Sequence, residues 1–324
     1  MIISRTPLRV SFVGGGSDLP AFYRQHDGAV LSMSVKKYVY LSMHEYFERQ
    51  GCILKYSEIE KPRTADEIQH RIIQQVFRDL SIDRVDFNSS ADVPAGTGMG
   101  SSSAFTVGLL NLCFAYRGEY VSRTRLAELA CEIELEKLGE PIGKQDQYGC
   151  ALGGVNLIEF HTDGSVTHQS VPLTIEQRRR MEQNLVMVYL GGTRSASELL
   201  SAQSKSTVEN AQVAESLKAM VEQARALRAD LCSDVDVLGS YLHEGWMRKR
   251  SLSEGISNPV VERAYDRALA AGATGGKLLG AGGSGFLLIY APGAARESVI
   301  DALSEYESHP VLVDTAGSTI IYSD

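Results

Sequence analysis

One stretch of thirteen residues constrains this chain more than any other: Asp92-Val93-Pro94-Ala95-Gly96-Thr97-Gly98-Met99-Gly100-Ser101-Ser102-Ser103-Ala104. It holds a proline, glycines at the alternate positions 96, 98 and 100, and three consecutive serines. An apolar run follows through Phe105, Val107, Leu109, Leu110, Leu112 and Phe114. This pattern predicts a glycine-rich loop feeding the N-terminus of a buried helix over 101–116. A helix N-terminus presents unpaired N–H groups and partial positive charge, so it favours anions. Glycines let the backbone come close to a ligand. Taken alone, the loop is equally a phosphate cradle or a flexible connection capped by serine.

A chain of 324 residues predicts about two domains. Its 44% hydrophobic and 22% charged content is that of an ordinary globular protein. The net charge of −8 argues against a nucleic-acid or anionic-membrane surface. No apolar run approaches a membrane span, and the opening residues lack the pattern of a signal peptide, so a cytoplasmic protein is expected. The five cysteines form no CxxC pair and read as reduced thiols. The histidines show no metal-ligand spacing.

Along the chain, residues 8–13 alternate as a strand and break at Gly14-Gly15-Gly16-Ser17-Asp18, framed by Arg9 and Asp18. Segments 28–34, 37–47 and 51–56 have β character. Ile68, Ile72, Val76 and Leu80 predict a helix over 65–80, and 85–88 a short strand. A helix over 122–138 would start at Ser122 and carry Glu134 on or beside its apolar face. A buried carboxylate needs a partner, either a salt bridge or a metal. Residues 139–148, with Lys144, Gln145, Asp146, Gln147 and Tyr148, read as a structured loop that is either solvated or a binding segment. Strands are expected near 154–160 and 166–171, a helix over 174–182 at the domain junction, and a strand over 185–190. A long helical region follows, then helices near 235–250 and 259–271. Gly280 to Gly285 is a formal GxGxxG, but a helix precedes it and a strand follows. A tight turn between two strands fits better than a dinucleotide fingerprint. A helix near 294–306 and strands near 310–313 and 318–322 close the chain.

A Walker A loop is absent, because Lys277 is followed by Leu278 and Lys144 by Gln145. Phosphoryl transfer needs a phosphate cradle, Mg²⁺ with oxygen ligands, and a group that orients the attacking hydroxyl. The loop 94–102, Glu134 and Asp146 are candidates for the three parts, since one serine and one glutamate suffice for Mg²⁺. A serine hydrolase is the rival from another class: Ser102, Asp146 and His161 follow in that order near an imperfect G-x-S-x-G. The segment before Ser102 reads as loop rather than strand, which weakens it. A non-catalytic nucleotide or sugar sensor is a further rival, opposed by Ser102, Glu134 and Asp146 occurring together.

Three motifs together resemble the GHMP kinases, the superfamily of galactokinase, homoserine kinase, mevalonate kinase and phosphomevalonate kinase. Pro94 to Ser102 is similar to the P-x-x-x-G-L-G-S-S motif, with Met99 where Leu is usual. Pro7 to Asp18 is similar to the first motif and Gly280 to Gly285 to the third. The resemblance implies an α+β, two-domain fold. It consists of a ribosomal protein S5 domain 2-like N-terminal domain, assigned to 1–180, and a ferredoxin-like C-terminal domain, assigned to 181–324. It implies that Pro94, Gly96, Gly98, Met99, Gly100, Ser101, Ser102 and Ser103 bind ATP, that Ser102 and Glu134 hold Mg²⁺, and that Asp146 polarises or deprotonates the acceptor hydroxyl. Many relatives have Lys at the position of Arg9. An arginine does not relay protons, so Arg9 is left as an electrostatic partner of Asp146.

The first motif and Gly143-Lys144-Gln145-Asp146-Gln147-Tyr148 resemble the sugar 1-kinase branch, which holds heptose 7-phosphate kinases and the kinase half of fucokinases. That branch implies ATP-dependent phosphorylation of the anomeric hydroxyl of a heptose 7-phosphate, in GDP-heptose synthesis for surface polysaccharide, or a related reaction on another sugar. Substrate contacts are then expected from Arg9, Gly15, Gly16, Ser17, Asp18, Gln145, Asp146, Gly282 and Gly283. A sugar phosphate needs a basic subsite, for which Lys144 and Arg194 are the candidates, with Arg5, Lys36 and Lys37 behind them. The expected partners are ATP and a small sugar phosphate, with a homodimer possible and no nucleic acid or membrane.

Overall fold

A computed structural model describes residues 1–48, 50–192, 196–253 and 255–324, without the side chains of 196–198 and 202. Two sheets organise the chain. The first contains β1 (Ile2–Val13), β2 (Gly28–Glu45), β3 (Ile53–Lys55), β4 (Ile59–Glu60), β5 (Val85–Ala91), β6 (Val155–Phe160) and β7 (Val166–Ser170). The second contains β8 (Leu185–Tyr189), β9 (Gly275–Leu278), β10 (Phe286–Tyr290) and β11 (Glu307–Pro310), in the antiparallel order β11-β8-β10-β9. With helices between β8 and β9 and between β10 and β11, this is a ferredoxin-like βαββαβ layout. The last strand, β12 (Thr319–Ser323), leaves that unit and pairs with β1 of the first sheet. Residues 181–324 therefore do not all belong to the second unit.

β2 is one continuous strand where the sequence predicts two. Its second half pairs with β5 and its first half with β6. β1 lies between β2 and β12 and is covered on both faces, so Leu8, Val10 and Phe12 are buried and so is Arg9. A register shift between Pro7 and Leu8 breaks the alternation of side chains. Both Thr6 and Arg9 then meet the helical layer, Thr6 beside Gly108 and Arg9 beside Gly149. This shift delivers a charged side chain from a core strand into the site.

The helices differ from expectation where the site is built. The helix expected over 65–80 begins at Arg71, after a 3₁₀ turn at Ala65–Glu67. The 122–138 helix is α-helical only over Arg123–Cys131, after an N-cap at Ser122, and widens into a π-helical turn over Glu132–Lys137. The predicted 139–148 loop ends early, because Gln145–Leu152 is a helix. The 174–182 and 259–271 helices form as read, with Thr174 in a capping box and Asn258 capping a helix that has Pro259 at its start. The strand expected at 310–313 lies earlier, at Glu307–Pro310. All five cysteines are unpaired. Among the described residues, no helix is long and apolar enough to cross a membrane.

Candidate active site

The loop and its helix lie as the sequence predicts, with one difference at the cap. Helix Ser101–Tyr116 starts from Gly100, whose φ of 74° is left-handed, and no side chain caps it. The first-turn N–H groups are thus left for another acceptor, at a positive helix end. Gly96, Gly98, Gly100, Ser101, Ser102 and Ser103 all line one cleft of about 490 Å³, a volume typical of small-molecule sites.

Glu134 is 2% exposed and reaches this cleft from the π-helical turn. The turn is closed by the Leu138 N–H donating to the Ile133 carbonyl, five residues back, at 2.9 Å. Such π turns recur at functional sites. The Glu134 carboxylate accepts from Thr106 Oγ1 at 2.8 Å, Ser103 Oγ at 2.8 Å and Gln147 Nε2 at 2.6 Å. Ser102 Oγ stands 3.5 Å away, too far for a strong bond. Burial pushes the Glu134 pKa up, against the pull of these three donors. Every donor is neutral, so the negative charge is uncompensated by any cation among the described residues. The salt-bridge alternative is thus not realised. A buried carboxylate at a cleft, with a serine hydroxyl beside it and no cation, is a donor set that suits Mg²⁺.

Asp146 has a different setting. It lies in the first turn of Gln145–Leu152, and Arg9 clamps it through one oxygen: Nε donates to Oδ1 at 2.8 Å and Nη2 donates to Oδ1 at 2.6 Å. Oδ2 accepts from none of the described residues, and Asp146 lines the same cleft. Arg9 Nη1 donates to the Gly98 carbonyl at 2.6 Å, so one guanidinium ties the carboxylate to the loop. Behind them, buried Asp18 accepts from the Gly16 N–H at 2.9 Å and from Gln145 Nε2 at 2.9 Å. Burial raises the Asp18 pKa, and the nearby Asp146 charge adds to this. Gly143 must be glycine here, since a Cβ would stand 1.9 Å from Asp18 Oδ2.

The second glycine segment is the predicted turn between two strands, and it packs backbone to backbone on the first. A Cβ at Gly280 would lie 2.4 Å from the Gly98 Cα, at a φ of 70°. Gly280 and Ala281 line the cleft. The Gly280 carbonyl accepts from the Lys249 ammonium. Lys249, at the end of helix Leu238–Lys249, is 4% exposed and also lines the cleft. Burial, and then Arg9, push its pKa down to about 8, although Asp18 and Asp146 pull the other way. Lys277 on β9 is buried nearby, and burial with the charges of Lys249 and Arg9 holds it well below the usual lysine range.

Sequence reasoning missed Lys249 and also Gln203, which is buried against Gly16 and lines the cleft. Neither stands in a local motif.

Several predicted residues are placed elsewhere. Met99 is buried and only its carbonyl takes part, accepting from the Arg9 N–H at 3.0 Å. Pro94 is exposed and does not line the cleft. The Ser17 hydroxyl is turned inward, its one hydrogen shared between the Gly14 and Ala29 carbonyls while it accepts from the Ala29 N–H, and it is buried away from the cleft. Gly15 lies beside the Gln145 amide. Lys144 points away: its ammonium donates to the Gly164 carbonyl at 2.6 Å and lies over the Tyr23 ring, beside a second hollow of about 630 Å³. Gly282 and Gly283 pack against Ile256 and Asn258 instead of lining the cleft. Arg5 covers the Tyr38 ring, and neither Lys36 nor Lys37 lines the cleft. Arg194 lies outside the described residues. The hydrolase triad is not assembled, because His161 bonds Thr167 at 2.8 Å and does not line the cleft.

Comparison with known proteins identifies the family. Residues 67–154 match the family of GHMP kinases N terminal domains, and residues 208–309 match GHMP kinases C terminal. The chain is 27% identical over 323 residues to the D-glycero-alpha-D-manno-heptose 7-phosphate kinase of Campylobacter jejuni, covering 95% of this chain and 94% of that one. It is 27% identical over 315 residues to the bifunctional fucokinase/GDP-fucose pyrophosphorylase of Arabidopsis thaliana, covering 90% of this chain and 30% of that protein. The fold superposes on a crystal structure of a D-glycero-D-manno-heptose 1-phosphate kinase from B. thetaiotaomicron with a TM-score of 0.81 at 23% identity, over 100% of both chains. With both domain families matched in order around one cleft, the chain belongs to the GHMP kinases and is a phosphotransferase of that family.

Proposed function

We propose that this kinase transfers the γ-phosphoryl group of ATP to the anomeric hydroxyl of a heptose 7-phosphate, giving the 1,7-bisphosphate for surface-glycan precursor synthesis. The observation that carries the reading is the Asp146 carboxylate, which lines the cleft beside an uncapped helix N-terminus and is clamped by Arg9 through Oδ1 alone, with Oδ2 accepting from none of the described residues. A hydroxyl resting on Oδ2 is oriented for attack. As its oxygen bonds to the γ-phosphorus and the bond to the β-phosphate oxygen breaks, its proton passes to Oδ2. Arg9 holds Asp146 in place through two hydrogen bonds to Oδ1. The helix N–H groups and Ser101 to Ser103 bind the phosphates. Lys249 adds positive charge where the transferring group passes, and by holding the Gly280 carbonyl it keeps the two glycine segments together. Mg²⁺, held by Glu134 and Ser102, would supply the neutralising charge for the triphosphate. The heptose relative, aligned along nearly the whole chain, supports the acceptor.

A second reading, a related sugar 1-kinase acting on an unphosphorylated sugar, is favoured by Lys144 turning away from the cleft. An ATP-consumption screen over free and phosphorylated sugars separates the two. Turnover with heptose 7-phosphate far above that with free sugars is expected. Faster turnover of a free sugar such as fucose would favour the second reading, and no sugar-dependent turnover would reject both.

A further inference from the structure

Two buried amides at one end of the cleft have unmet hydrogen-bonding capacity. Gln145 Nε2 donates to Asp18 Oδ1 at 2.9 Å, and that same oxygen also accepts from the Gly16 N–H at 2.9 Å. A carboxylate oxygen receiving a backbone N–H is an acceptor, which fixes the orientation of the Gln145 amide. Its Oε1 therefore faces the other way, and it is buried without a partner among the described residues. From the opposite unit, helix Ala196–Glu209 brings in Gln203, which is 2% exposed. Its Nε2 is also buried without a partner among the described residues. The two amides flank the same glycine strip. A Cβ at Gly15 would stand 3.7 Å from both Oε1 and Nε2 of Gln145, and one at Gly16 would stand 2.1 Å from Gln203 Nε2. Both residues line the cleft together with Asp146, which Gln145 directly precedes in the chain.

Buried polar groups are almost always satisfied, so an unpaired acceptor and an unpaired donor in one ligand cleft call for a group that is both donor and acceptor. We propose that Gln145 Oε1 and Gln203 Nε2 form a slot for one non-reacting hydroxyl of the acceptor, with Gln203 the specificity-determining residue contributed by the C-terminal unit. This rests on the reading of the site as a sugar kinase. The hydroxyl donates to Gln145 and accepts from Gln203, so the acceptor is gripped from both units at once. An acceptor without that hydroxyl leaves both amides buried and unpaired. Sites built this way reject the analogue much more strongly than an apolar pocket would.

The test compares wild type with Gln203→Leu and Gln203→Glu, using the best sugar from the screen and its monodeoxy analogues. The glutamate variant keeps the size of the side chain against Gly16 and removes the donor, so it serves if the leucine variant misfolds. Wild type is expected to lose about tenfold or more in kcat/KM on one deoxy analogue. The variants are expected to lose about as much on the parent sugar through KM, to become indifferent to that same deoxy position, and to keep the wild-type KM for ATP. A residue that only packs the Gly14–Gly16 turn would not shift the deoxy profile. Active wild type with variants that keep its KM and its deoxy profile would overturn the slot and leave the kinase reading standing. Wild type that phosphorylates no sugar would overturn both.

Discussion

Glu134 and Asp146 are two carboxylates in one cleft, and their surroundings assign them opposite work. Glu134 is fully enclosed, accepts from three neutral side chains and meets no cation among the described residues. Asp146 is partly open and already has its cation, with both bonds from Arg9 falling on one oxygen. An uncompensated charge suits an incoming metal. A compensated one with a vacant oxygen suits an incoming hydroxyl. The pair shows that the chemistry of a side chain in a site is set by what already occupies its lone pairs.

Breaking the acceptor side should have the largest effect. Asp146→Asn keeps the shape but weakens the Arg9 clamp and removes the proton acceptor. Its kcat should fall about a thousandfold, and steady-state turnover near wild type would refute the assignment. Glu134→Gln should have the next effect, because it removes the charge for which Mg²⁺ is suited. About a hundredfold loss at low Mg²⁺, partly recovered at high Mg²⁺, is expected. An unchanged Mg²⁺ titration would remove Glu134 from the metal site.

Lys249→Met should cost least, about tenfold, the size of a ~1.4 kcal/mol loss. Its pH dependence is the sharper readout. The ammonium pKa is lowered to about 8, so the charge is present below that pH and lost as pH rises through it. Wild-type kcat/KM should fall on the alkaline side with a midpoint near 8, and the methionine variant should lack that limb. The same limb in both proteins would point to another group.

What the sequence carried and what it hid divide along chain distance. The loop, its helix, Glu134 on a buried helical face, and the Arg9–Asp146 partnership were all legible. The loop and Glu134 belong to local patterns, and Arg9 and Asp146, 137 positions apart, each stand in a short motif of the family. The uncapped start at Gly100 and the π-helical turn under Glu134 depend on how neighbouring helices pack, which periodicity does not encode. Lys249 reads as a favourable basic residue in the last turn of a helix, and burial by the Gly280 segment is what makes it part of the site. Gln203 sits among serines and a lysine, like a solvated helix face, until the fold lays it on Gly16. Ser17 and Lys144 show the reverse. Their motifs mark the right segments, but one hydroxyl is consumed by the turn it stabilises and one ammonium by a distant carbonyl.

The division of labour between the two carboxylates is tested most directly by the equilibrium binding of ATP, measured by calorimetry with and without Mg²⁺, to Asp146→Asn and Glu134→Gln side by side. Asp146→Asn should bind Mg²⁺-ATP about as tightly as wild type, while Glu134→Gln should lose most of the gain in affinity that Mg²⁺ confers. Loss of that gain in Asp146→Asn with retention in Glu134→Gln would contradict the account.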